Sequence, residues 1–323
     1  MSPPGLRAVA LVAVAGLAAC GEVAPVQVAP CGGRNLAVTD DAIYVACPLL
    51  ARLDLDGTVR WGSGDVVAGP LVPPGDDLYW GGVADGRFGI VAQAKATGVT
   101  RQLAPVADDT THILSLAVVG ADVFWLEASP PPTTWSLRRV PRAGGAATTV
   151  LVSTDPLDSL AGSADALFWL TGQANVERGL DVTRLELATG ATTTLAHVDG
   201  ATTGLPSLAV GDGVIVPVYA LDSTVDAYRV RPGAATATLV AEDIRGTLAA
   251  AGDRLMAGTV RVEGDDLTRI LPSQPHSFAR VGLAGDDVYF ADGFALWRRP
   301  YAGDPSPQVP SFEIGPPLVG VPP

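Results

Sequence analysis

The chain has 323 residues, 48% hydrophobic and 17% charged, with 37 Gly, 27 Pro, 3 Cys and a formal net charge of -13. That apolar fraction excludes a disordered tail, and three cysteines exclude a disulfide-dense mini-scaffold. With 34 acidic against 21 basic residues the chain repels phosphate, which argues against nucleic acid and anionic membrane surfaces as partners.

At the N-terminus, Arg7, an apolar run from Ala8 to Leu17 and small residues after it form a signal-peptide layout. At about 1.5 Å per helical residue the run falls short of a hydrocarbon core of about 30 Å, so cleavage is expected rather than spanning. Leu17-Ala18-Ala19-Cys20, followed by Gly21, resembles the lipobox of bacterial lipoproteins. The resemblance implies removal of residues 1–19, a thioether diacylglycerol on Cys20 and acylation, such as palmitate, of the new amino terminus. Several acyl chains anchor firmly where one is marginal. Gly21 is not the Asp that holds enteric lipoproteins at the inner membrane, so the resemblance implies a lipid anchor in the outer membrane of the cell envelope. Cleavage removes Arg7 and no acid, so the mature charge is 20 − 34 = -14.

Residues 20–30 then form a short tether or a closing strand. Asn35 to Val38 and Ala42 to Ala46 read as strands about the turn Thr39-Asp40-Asp41, flanked by Cys31 and Cys47. Export makes a Cys31–Cys47 disulfide the expected state, contributing about 3 kcal/mol in the chain-entropy model. A two-cysteine metal site lacks a third ligand nearby.

From here a motif recurs seven times: small or apolar residues, a Gly-Asp turn, then an apolar or aromatic strand. Its anchors are Tyr44, Tyr79, Phe124, Phe168, Ile215, Met256 and Tyr289, separated by 35, 45, 44, 47, 41 and 33 residues. Between anchors lie further strand signals with Gly turns: Ser136 to Val140 and Ala147 to Val152, Val182 to Leu187 and Ala191 to Ala196, Tyr228 to Val230 and Ala235 to Val240. The spacing predicts an all-β fold, a seven-bladed β-propeller of four-stranded antiparallel blades over residues 31–312, with a Pro-rich tail at 313–323. The pattern resembles the NHL-like, TolB-like and quinoprotein-like β-propellers, and Leu50 to Trp61 resembles a single quinoprotein-type repeat. In this reading each turn Asp bonds its own backbone, each anchor packs between blades, and either Val26 to Ala29 or the tail near Val309 to Ile314 closes the ring.

Function is expected on the face with long second-to-third loops and blade connections. Its candidate binding residues are Asp108, Asp109, Glu127, Trp135, Glu177, Arg178, Asp222 and Asp226. Such an acidic face suits cationic surfaces; a divalent cation fits on charge alone, and no motif assigns a metal or cofactor. His112 and His276, near the starts of inner strands, are weak catalytic candidates, unaccompanied by a Gly-x-Ser-x-Gly, His-Glu-x-x-His, Walker or Rossmann motif. The leading expectation is a monomeric, non-enzymatic binding or scaffold module for a protein or envelope polymer. A propeller lyase or hydrolase and a carbohydrate-binding lectin are the alternatives. The excess of Arg over Lys, with Lys95 the single lysine, reads as coding bias.

Overall fold

Runs of β-branched and aromatic residues between Gly- and Asp-rich turns form twenty-eight strands among the described residues. The computed structural model describes residues 26–29, 35–47, 49–106, 111–129, 133–172, 179–220, 224–234, 236–244, 246–251, 254–258, 260–263, 266–269, 280–291 and 296–302. Cys20, Cys31, and the segment around Val309 lie outside them.

The strands are β1 (Val26–Ala29), β2 (Asn35–Val38), β3 (Ile43–Cys47), β4 (Leu49–Leu53), β5 (Val59–Val67), β6 (Asp77–Ala84), β7 (Arg87–Ala94) and β8 (Thr100–Pro105). Next come β9 (His112–Val119), β10 (Asp122–Ser129), β11 (Thr134–Pro141), β12 (Thr148–Ser153), β13 (Leu157–Gly162), β14 (Ala166–Thr171), β15 (Leu180–Glu186) and β16 (Thr192–Val198). The rest are β17 (Ala201–Thr202), β18 (Leu208–Val210), β19 (Gly213–Tyr219), β20 (Val225–Val230), β21 (Thr238–Ala241), β22 (Leu248–Ala251), β23 (Arg254–Ala257) and β24 (Val260–Glu263). The chain ends with β25 (Asp266–Arg269), β26 (Arg280–Ala284), β27 (Asp287–Ala291) and β28 (Leu296–Pro300).

Four consecutive antiparallel strands form each of the sheets β9–β12, β13–β16 and β22–β25, while β19–β21 pair in order with both β17 and β18 on β19. Strands β26–β28 are completed by β1, which pairs antiparallel with β28, Val26 opposite Arg298. The N-terminal segment thus supplies the outer strand of the last sheet. Strands β2–β8 form one continuous seven-stranded sheet, because β5 pairs with β4 from Val59 to Val66 and its last two residues, Val66 and Val67, also pair with Val83 and Gly82 of β6. Cys47 is the last residue of β3 and lies opposite Leu49, inside the ladder rather than beyond it.

All seven anchors are buried, at most 2% exposed. Each pairs with the residue seven positions upstream: Ala37, Val72, Ala117, Ala161, Leu208, Ala249 and Gly282. Seven hydrophobic clusters then join neighbouring strand groups in succession. Tyr44 packs with Leu78 and Trp80, Tyr79 with Val123 and Trp125, and Phe124 with Leu167 and Trp169. Phe168 packs with Val214 and Val216, Ile215 with Leu255 and Ala257, and Met256 with Val288 and Phe290. Tyr289 packs with Ile43 and Val45, returning from the last sheet to the first. The glycine in the final pair marks this seam: a Cβ at Gly282 would lie 2.3 Å from Val38 Cγ2, so only a hydrogen lets β26 approach β2.

The turns differ from expectation. Gly285, at φ 50°, occupies the first position of a two-residue turn closing Ala284 on Asp287, where a positive φ is required. Yet among the described residues the turn carboxylates of the repeat show no bond to their own backbone, Asp253 lying outside them. Asp41 and Asp165 accept from the hydroxyls of Thr39 (2.8 Å) and Ser163 (2.9 Å) and pair with Arg52 (3.3 Å) and Arg184 (3.5 Å). The recurring feature is the turn carbonyl: those of Asp76, Ala121, Asp165 and Asp286 accept from the N–H groups of Lys95, Arg142, Leu187 and Tyr301 at 2.7 to 2.9 Å. Any residue offers a carbonyl, so Ala121 serves where other copies carry Asp.

The arginines are also structural. Arg52, Arg139, Arg184, Arg229, Arg261 and Arg298 stand directly opposite Tyr44, Phe124, Phe168, Ile215, Met256 and Tyr289 on the third strand. A long stem covers the apolar anchor while the head reaches the polar turn. Tyr79, opposite Ala92, instead accepts from Arg142 Nε at 2.8 Å, with that guanidinium 5.5 Å over its ring. Within the quinoprotein-like stretch, Trp61 Nε1 donates to the Lys95 carbonyl at 3.0 Å and the ring lies 6.3 Å from that of Tyr44, joining β5 to the β7–β8 turn.

Candidate channel site

The first strands β2, β9, β13, β18, β22 and β26, with residues 68–72, surround a cavity of about 400 Å³. The register relates its walls. Two residues upstream of the seven anchor partners stand Asn35, Pro70, Ser115, Ser159, Pro206, Thr247 and Arg280. Three of these hydroxyls tie one first strand to the next. Ser115 Oγ accepts from Leu160 N–H at 3.1 Å, Ser159 Oγ donates to the Leu205 carbonyl at 2.7 Å, and Thr247 Oγ1 accepts from Val281 N–H at 3.0 Å. Buried bonds of this kind tie neighbouring sheets together around the cavity.

Ser159 is held at φ 56°, buried, where the β13–β14 register shifts, and it is a non-glycine residue in the left-handed region. Beside it, the Asp158 carboxylate accepts from Ser159 N–H at 2.7 Å. It also takes bonds from Gly204 N–H and the Thr202 hydroxyl, but burial outweighs them and pushes its carboxyl above the usual carboxylate range. Arg280 is the only charged residue among the described residues lining the cavity, and burial lowers its pKa. Ser207, 8% exposed, also lines it, and its hydroxyl has no hydrogen-bond partner among the described residues.

The residues singled out from sequence are dispersed. His112 is the exposed first residue of β9, opposite Ala128, and does not line the cavity. Glu127 is not on a solvated face: it is buried, accepting from Trp125 Nε1 at 2.8 Å and Arg138 Nη1 at 3.1 Å, with Arg138 5.8 Å over the Trp125 ring. Asp226 is likewise buried and accepts from Asp243 N–H at 3.1 Å and Thr224 Oγ1 at 3.4 Å. Both carboxylates turn inward because inward-facing N–H donors need acceptors. Trp135 is partly buried against the cluster around Phe124 and Leu137. Asp108, Asp109, Glu177, Arg178, Asp222 and His276 lie outside the described residues. Among the described residues no group of three or more His, Cys, Asp or Glu is placed to hold a metal ion.

The second-to-third connections are also less uniform than expected. Asp85-Gly86 between β6 and β7 is a two-residue turn, and one residue separates β3 from β4. Four residues separate β10 from β11 and β27 from β28, while the two longest connections, of eight and five residues, join β14 to β15 and β19 to β20 in consecutive sheets. Arg280 and the hydroxyl layer were missed by a search for similar residues in each copy. Aligning the copies nine residues before each anchor would have found them.

No protein-family model matches the chain, and no curated protein matches it. Among solved structures, an oligogalacturonate lyase from Vibrio parahaemolyticus aligns at TM-score 0.61 and 10% identity, covering 84% of this chain and 92% of that one. An oligogalacturonate lyase in complex with manganese aligns at 0.57 and 14% identity, over 80% of this chain and 85% of that one. A puromycin-hydrolysing peptidase of Mycobacterium tuberculosis aligns at 0.60 and 14% identity over 87% of this chain, which spans 54% of the peptidase. These are β-propeller folds, and the chain folds as a β-propeller. Identities this low carry the architecture alone.

Proposed function

We propose that the chain is a seven-bladed propeller lipoprotein, anchored through Cys20 in the outer membrane, that binds a protein or envelope polymer without transforming it. The blade count is supported by the shared strand β5: it is the outer strand of one blade from Val59 to Val66, and its end at Val66–Val67 leads into the innermost strand of the next, at the Val72–Tyr79 bridge. Dividing the seven-stranded sheet there leaves one anchor and one cluster per blade. Exterior binding is carried by one observation: the two longest second-to-third connections, β14 to β15 and β19 to β20, lie in consecutive sheets, which makes one sector of one face distinct. The Cys31–Cys47 disulfide belongs to this reading as a clamp near the closing strand.

Two arms test it. Cys20→Ser is expected to move the protein from the membrane to the soluble fraction, and membrane retention in that variant contradicts the anchor. Replacing residues 173–178 by Asn-Gly is expected to weaken capture of an envelope component at least tenfold with the melting temperature held, while unchanged capture contradicts the face.

A second reading has its own observation: Asp158, raised by burial beside a strained Ser159 near the channel, resembles a general acid in a fold shared with a lyase. Turnover of oligogalacturonate, followed by ultraviolet absorbance of an unsaturated product and abolished in Asp158→Asn, would favour it over binding alone.

A further inference from the structure

We propose that the propeller stands on the membrane by its short-turn face and presents the long-loop face outward, so that its partner lies outside the anchoring bilayer and is neither a lipid headgroup nor a membrane-embedded segment. This orientation rests on the lipid anchor at Cys20 and on the long-loop binding face proposed above.

The first observation is the direction of the closing strand. In each antiparallel sheet the first-to-second and third-to-fourth turns lie on one face, and the second-to-third connections on the other. Strand β28 is the third strand of its sheet, so it runs from the long-loop face at Leu296 to the short-turn face at Pro300. Strand β1 pairs with it antiparallel, Val26 opposite Arg298 and Ala29 opposite Leu296, and therefore runs the other way. Followed back from Ala29 to Val26, the chain heads out through the short-turn face toward Cys20. The other end of the ring closes on the same side: after β28, Tyr301 N–H bonds the Asp286 turn carbonyl at 2.8 Å.

The second is reach. Cys20 and Val26 are 26 − 20 = 6 residues apart, and a chain of that length spans at most about 21 Å. A tether that turned back at Val26 to set the long-loop face on the bilayer would use about 10 Å only to pass Ala29 again, before clearing the connections beyond it. The face that the tether meets directly is the short-turn face. Asp41, Asp165 and Asp286 expose their carboxylates on its turns, so this face gains nothing from anionic lipid, and the tether rather than adhesion sets the orientation. The body then stands between the bilayer and the binding face. Strand β15, with seven residues, crosses from one face to the other in about 20 Å, so the connections from β14 to β15 and from β19 to β20 project at least that far from the lipid headgroups.

The test is energy transfer in the full lipidated chain, reconstituted into phosphatidylethanolamine–phosphatidylglycerol vesicles that carry a headgroup-labelled acceptor lipid. An azide-bearing residue is placed at Asp165 or at Asp199, and a donor dye is attached to it. Both side chains are exposed, at 69% and 94%, so neither change disturbs the core. Both also belong to one sector: Asp165 turns β13 into β14 on the short-turn face, and Asp199 follows β16 on the long-loop face. Transfer from Asp165 is expected to exceed that from Asp199 at least about twofold, given the body of about 20 Å between them. Equal transfer would mean that the side of the ring faces the bilayer, and greater transfer from Asp199 that the body is inverted; either overturns the proposal. Vesicle flotation of wild type and Cys20→Ser separates this claim from the anchor. If both float or neither does, the anchor fails and the orientation with it; if only wild type floats, the transfer ratio decides the orientation alone.

Discussion

Tyr289→Ala lowers the stability of the folded chain by about 3 to 5 kcal/mol, the range for emptying a fully buried aromatic site. Tyr289 is 1% exposed and packs against Ile43, Val45 and Leu53, so its ring belongs to the contact between the last sheet and the first. In a closed ring no neighbour can move into the void without opening another seam, so little relaxation offsets the lost contacts. Tyr289→Phe is the control: it keeps the ring and removes the hydroxyl's bonds to the Leu55 carbonyl, 3.4 Å, and to Arg298, at a cost of about 1 to 2 kcal/mol. Equilibrium denaturation of both variants checks this. Equal midpoints for Ala and wild type would mean that the two sheets are not in contact.

Glu127→Ala is the second large effect, at about 3 kcal/mol. The carboxylate accepts from both Trp125 Nε1 and Arg138, and its side chain is 8% exposed against 30% for Arg138. Truncation strands an indole N–H in the core and a half-buried cation at once. Glu127→Gln keeps an acceptor for the indole while removing the charge, so it falls between wild type and Ala. Denaturation midpoints in the order wild type, Gln, Ala support an internal pair. A neutral effect of Ala would return Glu127 to the solvated binding face expected from sequence.

Most of the architecture could be read from the chain because the anchors obey one physical rule: each must be buried between neighbouring sheets. Tyr44, Tyr79, Phe124, Phe168, Ile215, Met256 and Tyr289 share that burial and the same offset to their partners, though their chemistry varies. Strand β5 was less accessible, because its handover from β4 to β6 is made by backbone hydrogen bonds that leave little trace in side-chain identity. The arginines were discounted as composition, yet six of them sit opposite anchors, a pairing that appears only once third-strand register is known. Acidic loop residues misled for a different reason: charge in a connection says nothing about whether the carboxylate turns in, as those of Glu127 and Asp226 do. Arg280 was hidden because a residue distinct from its equivalents is invisible to a search for likeness.

Closure of the ring by the N-terminal strand carries the whole account, since the channel, the seam at Gly282 and the final sheet depend on it. Val26 and Arg298 are register partners on β1 and β28, and antiparallel partners lie within the Cα separation a disulfide can bridge. In a chain with Cys20, Cys31 and Cys47 changed to Ser, the pair Val26→Cys and Arg298→Cys is expected to oxidise spontaneously in the folded state. Mass spectrometry should then find one peptide linking the two ends of the chain, with a raised melting temperature that reduction reverses. Two free thiols in folded, oxidised protein would contradict the closed ring.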